Sequence, residues 1–378
     1  MSETPTASIH QVSDLPKLAI RMRDDLNDHN FVLLYAFNGT GKTRASMEFK
    51  DRGKKKNNGD ADTLYFNAFT EDLFSWDNDL NEDANRILEF NGESSFFDGF
   101  KELEMDTRIR PHLQRYADFD FTINYEERKI SFQRSVRMLK FIDGEKREVT
   151  EVRDNIKISR GEENLFIWCL FLAVCQLAID RDDSYKWVKF IYIDDPVSSL
   201  DDNNVIAIAS HLAQMLIKAN GIVKAVVTSH HILFFNVLCN ELKNKKHKQY
   251  FLHKPANGSY LLRNTHDTPH FHHVAMLGEL KAAMECGSIK TYHFNMLRSI
   301  LEKTASFFGL NDFGKCIHGV DDEILFERAL NLLSHGAYSV YEPLEMTEDT
   351  KELFTNILTA FLDRYKFHLP EILQPKQA

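Results

Sequence analysis

Apolar positions fall into short, separated runs before about residue 265 and into helical stripes after it. Residues 31–36 (Phe-Val-Leu-Leu-Tyr-Ala) are apolar throughout, the mark of a strand buried on both faces of a parallel sheet. The run leads through Asn-Gly-Thr-Gly into a helical-looking segment, 42–49. Residues 63–66, 190–193 and 222–228 predict further buried strands, and 258–263 is expected to close the sheet. Residues 119–124 and 129–134 alternate around a charged turn, which predicts an antiparallel hairpin. Residues 164–179 are apolar almost throughout and predict a buried helix. The polar, mixed stretch 77–115 reads as a helical insertion. From about 270 onward strand signals vanish and amphipathic helical patterns run to the end. The expectation is an α/β domain with a mixed sheet over 1–265, then a mainly α-helical domain over 266–378.

Composition narrows the picture. A chain of 378 residues, 43% of them hydrophobic, can fill one large core and one smaller one. It has no uninterrupted apolar run of about eighteen residues, which argues against a membrane span. The N-terminal stretch is polar and lacks the apolar run of a secretory signal. Cys169, Cys175, Cys239, Cys286 and Cys316 are scattered and form no Cys-x-x-Cys pair. Together these predict a reduced, cytoplasmic protein without a structural zinc site. A net charge of −10 excludes indiscriminate binding to nucleic acid. Two basic clusters stand out, one of Arg52, Lys54, Lys55 and Lys56, the other of Lys243, Lys245, Lys246 and Lys248. Their simplest reading is a solvated turn and a solvated helix end. His266, Asp267, His270, His272 and His273 sit beside a proline, lack a standard metal spacing, and read as a polar loop.

The chemistry begins at Asn38-Gly39-Thr40-Gly41-Lys42-Thr43, between a buried strand and a helix. Glycines there let backbone N–H groups wrap phosphates, and the helix N-terminus adds partial positive charge. Lys42 is expected to reach the outer phosphates of ATP or GTP, and Thr43 to hold Mg²⁺. Ala36 stands where such loops usually begin with glycine. A second strand ends in Asp194-Asp195-Pro-Val-Ser-Ser-Leu-Asp201. Asp194 is the expected Mg²⁺ partner. Asp195 occupies the place where ABC enzymes usually carry a glutamate that orients the attacking water. Ser159-Arg-Gly161-Glu162 opens the buried helix and resembles the ABC signature in its SMC-like form. Its chemistry is again anion binding at a helix start, although a plain capping box looks the same. In ABC folds that phosphate belongs to a partner subunit, so the motif implies a head-to-head nucleotide-sandwich dimer. Ala-Val-Val-Thr-Ser-His230 matches the switch-histidine strand, with His231 a weaker substitute. A Q-loop glutamine is not evident; Asn67 to Glu71 lie where one is expected. The fold class is therefore an ABC-type P-loop ATPase head followed by a helical domain. No base-reading motif separates ATP from GTP.

In the helical part, Arg298 and Glu302 stand four residues apart and His335 follows in Leu-Ser-His-Gly. An Arg–Glu pair at this spacing is ordinarily a surface salt bridge worth roughly a few tenths of a kcal/mol, and the acid follows the base here, the weaker orientation. At this point the chain resembles the anticodon nucleases of the PrrC and RloC type over most of its length. The resemblance rests on residues 35–43, on Phe66-Asn-Ala-Phe-Thr-Glu-Asp-Leu-Phe74, on residues 193–201, and on Arg-x₃-Glu with a later His. It implies that Arg298, Glu302 and His335 form a ribonuclease site that cuts tRNA in the anticodon loop. Such cleavage leaves a 2′,3′-cyclic phosphate and needs no metal at the nuclease centre. Glu302 and His335 suit the proton transfers, and Arg298 the phosphorane charge. Which of the two is base and which acid stays open. Ser288, Lys290 and Tyr292 lie where the family carries an anticodon-recognising stretch. The long coiled coil and zinc hook of the RloC form are missing, so the compact PrrC form is the nearer match. The resemblance further implies a silencing type I restriction-modification complex, a role in phage defence, and a lean toward GTP. Two rivals stay open: an ATPase subunit whose nuclease is a separate chain, and a nucleotide-controlled assembly module.

Overall fold

The run at 31–36 forms a strand that is buried at every position, and the rest of a seven-stranded sheet grows outward from it. A computed structural model describes residues 9–67, 74–78, 86–91, 100–142, 145–197, 200–254, 258–266, 272–317 and 346–365. The chain divides into two compact units, Met1–Asp267 and Thr268–Ala378. The first begins with β1 (Ile9–Val12), α1 (Leu15–Asp28), β2 (Phe31–Tyr35), α2 (Lys42–Lys56), β3 (Thr63–Asn67), β4 (Phe74–Asn78) and β5 (Arg86–Phe90). Then come α3 (Met105–Leu113), β6 (Phe119–Asn124), β7 (Lys129–Ile142), β8 (Glu145–Arg153) and α4 (Arg160–Ile179). It ends with β9 (Phe190–Asp194), α5 (Asp202–Ala219), β10 (Lys224–Ser229), α6 (Ile232–Leu242), β11 (His247–His253) and β12 (Tyr260–Asn264).

The main sheet has the order β1-β12-β11-β2-β10-β9-β3. Its centre is parallel from β11 to β3, and β12 and β1 add an antiparallel edge. Register decides what meets at one end. Tyr35 lies opposite Ser229, Thr228 opposite Asp194, and Asp194 opposite Asn67. The residues that follow β2, β9 and β10 therefore emerge side by side, where ligands bind in open α/β sheets. On the far side of the unit, α1, α2 and β3 are tied by Arg23. Its guanidinium pairs with Asp62 at 2.9 Å and donates to Phe49 O, all of it buried.

The predicted hairpin forms between β6 and β7 but belongs to a larger antiparallel sheet, β4-β5-β7-β6, with β8 also on β7. This corrects the helical insertion expected over 77–115. Its described part contains β4 and β5 as well as the one helix α3. The signal was hidden because these strands have polar residues at many positions and gain their pairing from β7, distant in sequence. The helix α4 lies between the two sheets. Phe66 of β3 packs on Trp168 and Phe171, and Phe121 and Phe132 of the second sheet pack on Phe166. That explains why α4 is apolar on every side. By length and composition it could cross a membrane, yet 83% of its apolar window is buried in this core.

The second unit holds α7 (His272–Glu285), α8 (Thr291–Phe308), a 3₁₀ turn at Phe313–Ile317 and α9 (Glu348–Arg364). Leu280, Phe294, Leu297, Leu301, Phe354 and Phe361 are fully buried between them. Gly309, at φ +70°, ends α8 in the left-handed cap that glycine adopts without strain.

Candidate functional site

The loop after β2 takes its shape from two glycines, Gly39 at φ +80° and Gly41 at φ +103°. No side chain caps the start of α2, so its first-turn N–H groups face the loop, ready for an anion. Ala36, which replaces the usual first glycine, is fully buried and bonds through its N–H to Ser229 O at 3.0 Å. It prolongs the strand pairing, so no glycine is needed there. Lys42 Nζ donates to Ala36 O at 3.1 Å, Phe37 O at 3.2 Å and Asn38 Oδ1 at 3.3 Å, and pairs with Asp195 Oδ2 at 3.0 Å. Thr40 is held by its hydroxyl donating to Phe37 O at 2.8 Å.

The two carboxylates at the end of β9 live in different surroundings. Asp194 accepts from Thr43 Oγ1 at 2.7 Å, Thr228 Oγ1 at 2.5 Å and Tyr65 OH at 3.5 Å. Burial pushes its carboxyl above the usual carboxylate range, against the hydroxyl bonds that pull it down. Asp195 adopts φ +48°, a left-handed conformation that costs an L-residue about 1 kcal/mol or more. Its N–H bonds to Thr228 O, and its Oδ1 accepts from the His230 N–H at 2.7 Å and from His230 Nδ1 at 2.8 Å. Burial raises this carboxyl too, but the His230 bond and the Lys42 ammonium outweigh it and hold it below its ordinary value. His231 is spent otherwise, as the cap of α6. Asp201 caps α5 by accepting from the Asn204 N–H at 3.0 Å.

Ser159 and Glu162 form a reciprocal capping box at the start of α4. The Ser159 N–H donates to Glu162 Oε2 at 2.7 Å, and the Glu162 N–H to Ser159 Oγ at 3.3 Å. Gly161 lies in that first turn. Arg134 of β7 pairs with both Glu162 and Asp118. Burial raises the Glu162 carboxyl, and the Ser159 bonds with the Arg134 pair more than reverse this.

In the second unit, Arg298 Nε donates to Glu302 Oε1 at 2.8 Å along α8, and the guanidinium lies over the Phe313 ring at 5.5 Å. Ser288 and Lys290 are half-buried ahead of this helix, and Tyr292 is in its first turn. The Lys290 N–H donates to His293 Nδ1 at 2.9 Å, which leaves Nε2 of this buried imidazole toward Glu279 Oε1 at 4.0 Å. Burial brings the His293 pKa down to about 4. His335, and with it the third member of the expected nuclease set, lies outside the described residues, as do Asp267 and His270. His266 instead packs against the His247 ring at 4.8 Å, and no metal-holding group of His, Cys, Asp or Glu occurs among the described residues.

Comparison with known proteins bears on the chain as a whole. A family profile described as an AAA domain matches residues 139–363. An anticodon nuclease of Escherichia coli is 33% identical, over 86% of this chain and 87% of that protein. The chain belongs to the PrrC-like anticodon nuclease family. In this PrrC-like chain the AAA-type ATPase profile takes in Asp194, Asp195, His230, Arg298 and Glu302 but begins beyond the glycine loop. The loop is therefore argued from its own glycines, Lys42 and Thr43. As an ATPase domain it binds nucleotide, typically with Mg²⁺.

The donor set fits such an ion. Thr43 Oγ1 and Asp194 Oδ2 are hard oxygens already within hydrogen-bond reach of each other, and Mg²⁺ needs only one or two protein oxygens beside phosphate and water. Asp195, kept ionised and aimed by His230, can accept a proton from water. Thr228 and Tyr65, which also hold Asp194, were missed in the sequence. A threonine closing the buried apolar run Ala225-Val-Val was the available signal for the first.

Proposed function

We propose that this chain is a nucleotide-gated endoribonuclease that cuts tRNA in the anticodon loop as part of a phage-defence system. The observation that carries the gating is the position of Asp195. One carboxylate holds both Lys42 and His230, so phosphate arriving at the glycine loop must compete for Lys42 and thereby changes what Asp195 and His230 share. Hydrolysis of ATP or GTP uses Asp195 to orient water, with Asn38 to Thr43 on the phosphates and Thr43 and Asp194 on Mg²⁺. Ser159, Gly161 and Glu162 complete the site across an ABC-type head-to-head dimer, with Asp201 at its edge. A shorter acid than the usual glutamate suits a timer better than a motor.

In the nuclease unit, Glu302 and His335 move the protons of 2′-hydroxyl attack and 5′-oxygen departure, and Arg298 stabilises the phosphorane. Ser288, Lys290 and Tyr292 contact the unpaired loop. The name of the 33%-identical relative supports tRNA as substrate. A type I restriction-modification complex keeps the enzyme silent in this scheme. The exposed Arg298–Glu302 pair also favours a second reading, in which it is structural and the nuclease is a separate chain. Expression in a bacterial host separates the two. Growth arrest with tRNA ends mapped to the anticodon loop is expected, and Arg298→Ala or His335→Ala should relieve it. Arrest that persists in both variants, or intact anticodon loops in arrested cells, would exclude the proposal.

A further inference from the structure

The chain is acidic overall, with a net charge of −10, yet one edge of the first unit is not. The last turns of α2 carry Arg52, Lys54, Lys55 and Lys56, all exposed. Cations suit a helix C-terminus, but the dipole is answered by one or two. Lys54, Lys55 and Lys56 make no ion pair among the described residues.

The fold brings one more lysine, Lys189, against this end of α2. Lys189, just before β9, donates from Nζ to Asn57 Oδ1 at 3.4 Å, and its N–H bonds to Asp62 O at 2.9 Å. The 3₁₀ turn before it, Asp183–Tyr185, leads into Lys186 and Trp187. Trp187 is 40% exposed, and its indole N–H is taken by Ser184 O at 3.0 Å. With its single donor used inside the turn, the free part of that side chain is its ring. Nearby acids are largely occupied. Asp183 pairs with Lys186, Asp182 accepts from the Ser184 N–H, and Asp62 is buried on Arg23. Exposed Asp51 and Asp60 stand against Arg52, Lys54, Lys55, Lys56 and Lys189.

This edge is remote from the nucleotide. At about 1.5 Å per residue, α2 carries Lys56 about 21 Å from Lys42. Likewise β9 starts beside Lys189 and ends at Asp194. A cationic helix end joined through Asn57 to Lys189, with an exposed aromatic ring two residues before that lysine, matches a phosphate backbone with accessible base faces, which a merely solvated helix end does not require.

We propose that Arg52, Lys54, Lys55, Lys56 and Lys189, together with Trp187 two residues before Lys189, bind the RNA substrate outside the loop that is cut. The lysines and arginine neutralise backbone phosphates, and the Trp187 ring stacks on an unpaired base. The proposal rests on the tRNA substrate proposed above.

The test measures anisotropy of fluorescein-labelled bulk bacterial tRNA with the full chain, carrying Arg298→Ala to prevent cleavage. Combined Lys54→Glu, Lys55→Glu and Lys56→Glu should weaken binding at least about tenfold at low salt and reduce the salt slope by about 2. Trp187→Ala should weaken it about fivefold or more with the slope unchanged, and Trp187→Phe should restore most of the loss. Nucleotide turnover should be normal in all of them, which verifies their folding. Wild-type affinity and slope in the lysine variant would overturn the patch, including the case where that variant loses only a protein partner. If tRNA binds through the patch but the unmodified chain never cuts it, the nuclease function fails and the patch stands. A chain that does not bind tRNA at all removes both.

Discussion

Lys42 and Asp195 in the first unit, and Arg298 and Glu302 in the second, are both opposite charges at hydrogen-bond distance, and they are held by different physics. The first pair is 5% and 12% exposed and is drawn from the start of α2 and the end of β9; the second is 18% and 48% exposed and sits one turn apart on a single helix. Buried charges persist only when they are paired and hydrogen-bonded, and Asp195 is, by Lys42 on one oxygen and His230 on the other. The α8 pair is set by helical spacing, with the Phe313 ring beside the guanidinium. Charge in the first site is thus costly to disturb for reasons of folding and of chemistry together, whereas on α8 the two separate. A loss of RNA cleavage in Arg298→Ala that leaves stability unchanged would act through function.

Four variants would sharpen or break this contrast. The largest effect is expected from Asp195→Asn, which should lower nucleotide turnover by about 10²–10⁴-fold in a single-turnover assay. The same variant carries a pH signature. Since the folded-state pKa of Asp195 lies below its ordinary 3.8, its ionised form adds stability above that value, which is lost as pH falls through the lower folded value. The stability gap between wild type and variant should therefore close in acid, below about pH 3.8. Asp194, raised instead, contributes in the opposite sense. Next in size, Asp62→Ala strands the buried Arg23 guanidinium and should cost about 3–5 kcal/mol in denaturant unfolding. An undiminished midpoint would mean that the Arg23 tie between α1, α2 and β3 is dispensable. Ser159→Ala removes one half of the α4 capping box and should cost about 1 kcal/mol. Smallest is Arg298→Ala, at about 0.5 kcal/mol or less by thermal unfolding. A loss of several kcal/mol there would show that the α8 pair is structural after all.

Much of the main sheet was legible. The strands expected at 31–36, 63–66, 190–193 and 222–228 are buried at most positions, so composition betrays them, although the last is Lys224–Ser229 and leaves Ile222 outside it, 50% exposed. The strands β4, β5 and β8 were not, because Glu145–Arg153 is charged at most positions and is held by pairing with β7 along its length. Likewise the basic cluster taken for a solvated helix end runs from the close of α6 into β11, whose partner β2 is far away in sequence. The capping box at Ser159 was legible because its two hydrogen bonds span three residues.

By itself the sequence determined what is local: the glycines that turn the loop, the order of acids after Tyr192, the cap of α4 and the helical spacing of Arg298 and Glu302. Tertiary structure decided which charge meets which. Parallel register alone places Thr43 on Asp194, Lys42 on Asp195, and His230 on the same carboxylate. It also sends two adjacent aspartates in opposite directions, one raised by burial and the other held down by its cation and imidazole. No spacing could reveal that, since the sign of a pKa shift depends on which distant groups fold against the carboxylate and how much water they exclude.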